Sequence, residues 1–222
     1  MPPARSPVSR SGRRSARLRR AWGPLSYNAA PRYGYLWVAL DDPLHPLPEF
    51  EEEALGFRRI DDFFEVRNCA GLRRIENSFD NAHFSFVHRA SFGDQGHPEP
   101  AKLDIEGHPG GVLMITEVPL RNLEVQKKVL RMDGDETIRR MRGRWYMPFM
   151  RKLQITYPNG LVQAIITAAT PIDDRISQVV QFVFRNDTEA NASAENVIAF
   201  NRFVTNEERG ILESADWDVP LD

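Results

Sequence analysis

The chain has 222 residues, of which 41% are hydrophobic and 27% charged, and its formal net charge is −2. These values are ordinary for a globular chain that buries a core, and they exclude a fibrous or strongly basic, nucleic-acid-binding composition. A single cysteine, Cys69, excludes a disulfide framework and suits a reducing compartment, so we expect a cytoplasmic location. Because no apolar run approaches the roughly 18 residues that span a bilayer, no membrane span is expected.

The first 30 residues are rich in Arg, Ser, Pro and Ala, and the first 20 contain seven Arg and no acidic residue. Such a segment cannot bury enough apolar surface to offset its ordering entropy, so residues 1–30 are predicted to be disordered. Three origins of this segment remain open: a gene-model artefact with a misassigned start codon, an organellar transit peptide implying a plastid location, and a nucleic-acid-binding arm. Residues 31–222 are predicted to form the folded domain.

The first folded element is predicted at residues 33–40, an aromatic and branched run that is typical of a buried strand and ends before Pro43. Another strand is expected within residues 57–68. Residues 72–88 show helical periodicity, because their apolar positions recur among polar ones at helical spacing.

The middle of the chain is predicted to be antiparallel sheet, because short apolar or alternating runs are separated by turn signals. The candidate strands are residues 112–116, 123–131, 143–147, 153–157, 161–169 and 177–185, with Asp133-Gly134 as a hairpin turn. After residue 187 the period changes, and residues 194–203 and 205–215 are predicted to be two helices. A block of strands with helices at the ends makes the chain α+β.

Two histidines, His83 and His88, lie five residues apart, and Asp80 precedes the first by three. Two imidazoles and a carboxylate are the ligands of many mononuclear Fe(II) sites. Five residues of a regular helix turn about 500°, so these imidazoles can meet only if the helix ends or widens between them. Asp80 and His83 would share a helix face, which suits a carboxylate that accepts the imidazole N–H. The alternative is an ordinary amphipathic helix.

A third ligand would have to come from a distant segment, and residues 205–213 carry the candidate carboxylates Glu207 and Glu208. Thr205 and Glu208 also form the Thr-x-x-Glu pattern of a capping box at a helix start. From the residues alone, Glu208 is therefore either a ligand or a helix cap.

The pair Glu76-Asn77, followed by Asp, two residues, His, four residues and His at residues 80–88, resembles the catalytic-domain signature of Rieske-type non-haem iron oxygenases. The resemblance is to the branch that contains vanillate O-demethylase and pheophorbide a oxygenase, and it extends over roughly residues 31–218. It implies a helix-grip fold of the Bet v 1/START type, with an antiparallel sheet curved around a long C-terminal helix.

The resemblance also implies roles for individual residues. His83, His88 and Glu208 would bind Fe(II), although Glu208 stands where the family has Asp, and whether it or the preceding glutamate is the ligand stays open. Asp80 and Asn77 would have catalytic roles, with Asp80 bridging towards a Rieske cluster on the neighbouring subunit of a homotrimer.

The implied activity is the insertion of oxygen from O2 into a small hydrophobic or aromatic substrate, by hydroxylation or oxidative demethylation. Electrons would come from a reductase through a Rieske [2Fe–2S] centre, which one cysteine cannot hold. We therefore expect that centre on a partner or a missing domain whose end lies near residue 31, and no activity from this chain alone. The alternative function is a non-catalytic helix-grip module that binds an apolar small molecule.

Overall fold

The computed structural model describes residues 27–43 and 45–216, and its first unit is a β-hairpin. Strand β1 (Asn28–Arg32) pairs antiparallel with β2 (Tyr35–Ala39). The two-residue turn between them, Tyr33-Gly34, has positive φ at both positions, as a tight hairpin turn with the twist of its strands requires.

Two expectations for this hairpin are corrected. The strand within residues 33–40 is not buried, because alternate side chains of β2, among them Leu36 and Val38, are exposed. Strand pairing also begins at Asn28, inside the segment predicted to be disordered. The rest of that prediction, for residues 1–26, lies outside the described residues.

The second unit, from residue 45 onward, contains a seven-stranded sheet in which every neighbouring pair is antiparallel. In chain order its strands are β3 (Arg58–Arg67), β4 (Lys102–His108), β5 (Gly111–Arg121), β6 (Glu136–Tyr146), β7 (Met150–Thr156), β8 (Val162–Pro171) and β9 (Ser177–Arg185). The spatial order is β3-β9-β8-β7-β6-β5-β4. Strands β4 to β9 thus form a meander, and β3 pairs with its last strand.

One predicted strand is wrong. Residues 123–131 contain a helix, α4 (Glu124–Leu130), and the Asp133-Gly134 pair lies in the connection from α4 to β6 instead of in a hairpin. The residues that α4 buries are Gln126, Val129 and Leu130, at the spacing of one helical face, so tertiary packing decides against the local alternation.

The remaining helices of the described chain are α1 (Glu51–Ala54), α2 (Gly71–Glu76), α3 (Phe84–Val87) and α5 (Ala194–Ser214). The two helices predicted at the C-terminal end are one continuous helix, α5. Ser193 caps its N-terminus, because the Ser193 Oγ accepts a hydrogen bond from the Asn196 N–H. Thr205 therefore lies in the helix interior, where its hydroxyl donates to the Asn201 carbonyl. The capping-box interpretation of Thr205 and Glu208 is wrong.

Residues 72–88 do not form one helix. After α2 the chain makes a 3₁₀ turn at Asn77–Phe79, becomes extended at Asp80 and then forms the single turn of α3. This segment and α5 both pack on the sheet: Phe84 and Phe92 contact one apolar cluster with β6 and β7, and α5 contacts another with β3 and β9. The α+β class is confirmed, with α3 and α5 held next to each other. Within the described part of the chain, no helix is long and apolar enough to cross a membrane.

Candidate metal centre

Three side chains from α3 and α5 meet at one point. His83 and His88 are the residues immediately before and after α3, and their ring centroids are 5.2 Å apart. Because the helix ends at His88, both imidazoles turn towards α5, where Glu208 lies. The His88 Nε2 is 3.2 Å and the His83 Nε2 3.7 Å from the Glu208 Oε1. One donor atom of each of these residues lies within 4.8 Å of the others.

The other ring nitrogen of each histidine faces a second carboxylate. The His83 Nδ1 is 3.3 Å from the Asp80 Oδ2, and the His88 Nδ1 is 3.0 Å from the Glu207 Oε2. These carboxylates can accept Nδ1–H hydrogen bonds, so that each Nε2 faces Glu208. Asp80 and His83 do meet as expected, but through an extended residue and not across a helix face.

The oxygen of Glu208 that faces away from the histidines is held by a buried cation. The Arg74 Nη1 on α2 lies 3.0 Å from the Glu208 Oε2. Burial alone would raise the pKa of Glu208, but Arg74, His83 and His88 outweigh it and hold the pKa well below its usual value. Glu208 is thus a carboxylate anion, as a metal ligand must be.

The charge on His83 is set by its two carboxylate neighbours. Burial lowers its pKa, yet Asp80 and Glu208 outweigh burial and raise the pKa of His83 to about 9. Hydrogen bonding to His83 in turn lowers the pKa of Asp80. Without metal, a proton therefore resides on His83 at neutral pH, and a metal ion must displace it.

The residues present fit a divalent metal ion. Two imidazole nitrogens and one carboxylate on one side of a point are the ligand set of non-haem Fe(II) sites. Among the described residues, the buried His83 Nε2 has no hydrogen-bond partner. A buried polar atom without a partner is costly, and a bound metal would remove that cost.

A cavity lies beside His88 and Glu208, between α5 and the inner face of the sheet. Its apolar lining comes from β6, β7 and β8, from the segment around α3, and from α4 and α5. The apolar lining residues are Phe84, Phe92, Leu130, Met141, Leu153, Ile155, Ile165, Phe200 and Val204. His88 and Glu208 thus face a small cavity of about 70 Å³, whose wall combines these apolar side chains with polar ones.

The structure does not bring every candidate to this point. Asn77 lies on the 3₁₀ turn after α2, and its buried Nδ2 has no hydrogen-bond partner among the described residues, so its catalytic role stays a prediction. Sequence reasoning missed the contacts of Arg74 and left Glu207 as a rival ligand. The continuity of α5 was the signal that Glu207 and Glu208 have different roles. Adjacent residues of one helix lie about 100° apart, so the two carboxylates cannot occupy the same ligand position.

An antiparallel sheet packed on one long C-terminal helix matches the fold of Rieske oxygenase catalytic domains. The family model for the vanillate O-demethylase oxygenase C-terminal domain matches residues 67–218. This match covers more than half of the sequence, and the chain belongs to that family.

Individual relatives agree with this assignment. The chain is 22% identical over 204 residues to methylxanthine N1-demethylase NdmA of Pseudomonas putida. This alignment covers 88% of this chain and 54% of NdmA. It is also 40% identical over 75 residues to the probable methylxanthine N7-demethylase NdmC of Pseudomonas sp. (strain TJI-51), covering 33% of this chain and 27% of NdmC. The chain therefore spans about half, or less, of the length of these relatives.

Solved structures share the fold. NdmA of Pseudomonas putida CBB5 with caffeine has a TM-score of 0.69 at 20% identity, over 88% of this chain and 56% of that one. Dicamba monooxygenase bound to 3,6-dichlorosalicylic acid has a TM-score of 0.68 at 15% identity, over 85% of this chain and 59% of that one. At such identities the likeness is one of fold.

Proposed function

We propose that the chain is the iron-binding catalytic part of an oxygenase that inserts oxygen from O2 into a small hydrophobic or aromatic substrate, by hydroxylation or oxidative demethylation. The observation that carries the proposal is the approach of His83, His88 and Glu208 within 4.8 Å, next to a partly apolar cavity. Relatives named as demethylases and a monooxygenase point to the same reaction class. An Fe(II) ion held by these residues would supply the redox chemistry with O2.

The side chains around the three ligands prepare them for that ion. Asp80 and Glu207 each hold a proton on an imidazole Nδ1, which directs both Nε2 lone pairs to the metal position. Arg74 neutralises the outer oxygen of Glu208, so that Oε1 is the oxygen available for binding. The apolar cavity wall excludes water and holds the substrate next to this position.

Asp80 connects the site to the protein surface. Its side chain is half exposed while it contacts the imidazole of His83. We propose that electrons arrive on this side from a Rieske [2Fe–2S] centre held outside these 222 residues. A reductase would supply that centre with electrons. The chain would form a homotrimer in which a neighbouring subunit docks near Asp80. We also propose a cytoplasmic location, which a single cysteine suits. The Pseudomonas relatives give the plastid alternative no support.

Metal stoichiometry tests the proposal. Anaerobic titration with Fe(II) should show about one ion per chain, and His83→Ala or His88→Ala should abolish binding because each removes a ligand. His97 pairs with Asp94 on the surface, so His97→Ala is the matched control and should keep full binding. Full iron affinity in both ligand variants would contradict the proposal and favour the non-catalytic binding module.

Turnover tests the electron route. The isolated chain should show no NAD(P)H-driven oxygenation with a reductase alone, and turnover should appear when a Rieske protein able to dock near Asp80 is added. Asp80→Asn should then reduce turnover much more than iron content. The substitution weakens the connection between His83 and the electron-donating Rieske protein, but it keeps all three metal ligands. Equal losses of iron and turnover would assign Asp80 to metal retention only.

A further inference from the structure

The residues that follow His88 fold back onto it. The backbone N–H groups of Ser91, Phe92 and Gly93 all donate to the His88 carbonyl oxygen, at 3.0, 2.9 and 2.7 Å. Gly93 permits this turn, because a Cβ at that position would clash with the Phe84 carbonyl oxygen. The turn therefore brings Ser91 and Phe92 back beside the histidine from which it starts.

The Phe92 ring restrains the plane of the His88 imidazole. The two rings are stacked, with centroids 4.6 Å apart and an interplanar angle of 27°. A half-turn of the imidazole about its Cβ–Cγ bond would keep this stacking and exchange Nδ1 with a ring carbon. The hydrogen bond at the His88 Nδ1 therefore decides which edge of the ring faces the metal position.

Ser91 holds the carboxylate that makes this hydrogen bond. Its hydroxyl donates to the Glu207 Oε2 at 2.6 Å, and the same oxygen accepts from the His88 Nδ1 at 3.0 Å. The Ser91 Oγ is 3.3 Å from the His88 carbonyl oxygen, so the shorter contact with Glu207 takes its single proton. Ser91 is completely buried, which shields its hydrogen bond with Glu207 from water.

The two carboxylates that face the histidines are held in different ways. Beside His83, the Asp80 Oδ2 faces the imidazole, and the Asp80 Oδ1 accepts from the Ala82 backbone N–H at 2.7 Å. The Glu207 Oε1 is buried and has no hydrogen-bond partner among the described residues. Asp80 is thus fixed by the backbone, whereas Glu207 has the Ser91 hydroxyl in that role.

We propose that Ser91 is a positioning residue of the metal centre. Its hydroxyl orients Glu207, and Glu207 in turn orients the His88 imidazole for metal binding. The proposal rests on the function proposed for this site, because the orientation serves a metal ligand. Ser91 is not part of the cavity wall, so its effect on metal binding should be transmitted through Glu207.

Anaerobic calorimetry with Fe(II) measures this effect. Loss of a direct partner of a ligating imidazole costs about 10–100-fold in metal affinity, so Ser91→Ala, one contact further from the metal, should weaken binding about 3–10-fold. Ser91→Cys keeps a similar volume but offers only a weak donor, and it should give a similar loss. The matched control is Ser85→Ala, because Ser85 is a buried serine of α3 that donates to the His97 backbone carbonyl. It should bind Fe(II) as the wild type does.

Two further measurements separate positioning from a general loss of stability. Because Ser91 acts through Glu207, adding Ser91→Ala to Glu207→Gln should cause no further loss of Fe(II) affinity. In the metal-free chain, NMR of isotope-labelled histidine follows the two imidazole protons. The His88 Nδ1–H proton should exchange with water faster in Ser91→Ala than in the wild type, and the His83 Nδ1–H proton should exchange as before. Thermal unfolding checks that each variant keeps the fold.

Four results would overturn the proposal: wild-type Fe(II) affinity in Ser91→Ala, full affinity in Ser91→Cys, additive losses for Ser91→Ala and Glu207→Gln, or equal exchange of the His88 proton in Ser91→Ala and wild type. A wild-type chain that fails to bind Fe(II) would reject the proposed function. The exchange of the His88 proton would then still test whether Ser91 positions this imidazole. If Ser91→Ala does not fold, Ser91→Cys takes its place in each measurement.

Discussion

The two sides of the cavity differ in how their charges are balanced. At the metal side, each histidine faces one carboxylate through Nδ1, and Glu208 has Arg74 behind it, so every charged group has an opposite charge within about hydrogen-bonding distance. At the Arg151 side, the Nε and Nη1 atoms of a buried guanidinium have no hydrogen-bond partner among the described residues, and the charge of Glu208 offsets this cation only in part. The first side is prepared for a cation that displaces one proton, and the second already holds a buried cation.

The largest effect is expected on Fe(II) binding at the metal side of the cavity. Glu208→Gln should weaken Fe(II) binding about a thousandfold or more, equivalent to about 4 kcal/mol, because it removes the only anionic ligand. Anaerobic calorimetry would measure it. Glu195→Gln, an exposed position on the same helix, is the control and should bind iron as the wild type does. Unchanged affinity in Glu208→Gln would remove Glu208 from the ligand set.

Two arginine variants should have effects of opposite sign on folding stability. Arg74→Met removes the cation beside the buried outer oxygen of Glu208, so in the metal-free chain it should lower the free energy of unfolding by about 3 kcal/mol. Arg151→Met removes a buried cation whose Nε and Nη1 atoms have no hydrogen-bond partner among the described residues, so it should raise that free energy by about 1–2 kcal/mol. Urea unfolding measures both. Losses of similar size in the two variants would mean that the charge of Glu208 stabilises Arg151 as much as it stabilises Arg74.

Glu207→Gln should sharpen the distinction between a ligand and the residue that orients it. Its carboxylate holds the His88 Nδ1 and also accepts from the Ser91 hydroxyl at 2.6 Å. Loss of such a supporting partner costs about 10–100-fold in metal affinity. The same titration as for Glu208→Gln measures it, and the smaller loss is expected for Glu207→Gln. The reverse order would exchange the roles of the two glutamates.

Asp62, which accepts hydrogen bonds from Gln181 and Asn201 behind the cavity wall, should make stability depend on pH. Burial outweighs those hydrogen bonds and raises the pKa of Asp62 to about 6. Its contribution to stability is therefore fully present below about pH 4, and is lost as the pH rises through about 6.

The unfolding free energy should fall by about 1–2 kcal/mol more in the wild type than in Asp62→Asn between pH 5 and pH 8. Urea unfolding at both pH values measures this difference. Asp61→Asn changes the exposed neighbouring carboxylate and is the control. Parallel pH profiles for wild type and Asp62→Asn would contradict the raised pKa.

Most of the strands could be predicted from the sequence because their pattern is local, but β1 and β4 were not predicted. The candidate at residues 177–185 coincides with β9, and the break after Tyr157 is a turn, as its Pro-Asn-Gly composition predicts. The prediction of a strand at residues 123–131 was wrong because Val125 and Val129 fit an alternating strand and also the i, i+4 spacing of a helix. Only contacts with the rest of the fold decide between these two interpretations.

The candidate site was also predictable only in part from the sequence. The spacing of His83 and His88 is visible in the sequence, but Glu208 lies 120 residues beyond His88. The residues alone left Glu208 as either a ligand or a helix cap, and the family resemblance implied the ligand. Arg151 could not be assigned to the cavity, because it adjoins Lys152 and a pattern of two charged residues does not tell which one faces inward. The burial of Arg151 in the cavity wall is a property of the packed structure.

A crystal structure of the Fe(II)-loaded chain, with anomalous scattering measured at the iron absorption edge, tests the central claim most directly. The account predicts one strong anomalous peak per chain, bonded to His83 Nε2, His88 Nε2 and a Glu208 carboxylate oxygen, with Arg74 still against Glu208. A peak at Glu207, at the surface pair of Asp94 and His97, or nowhere in the chain would contradict it.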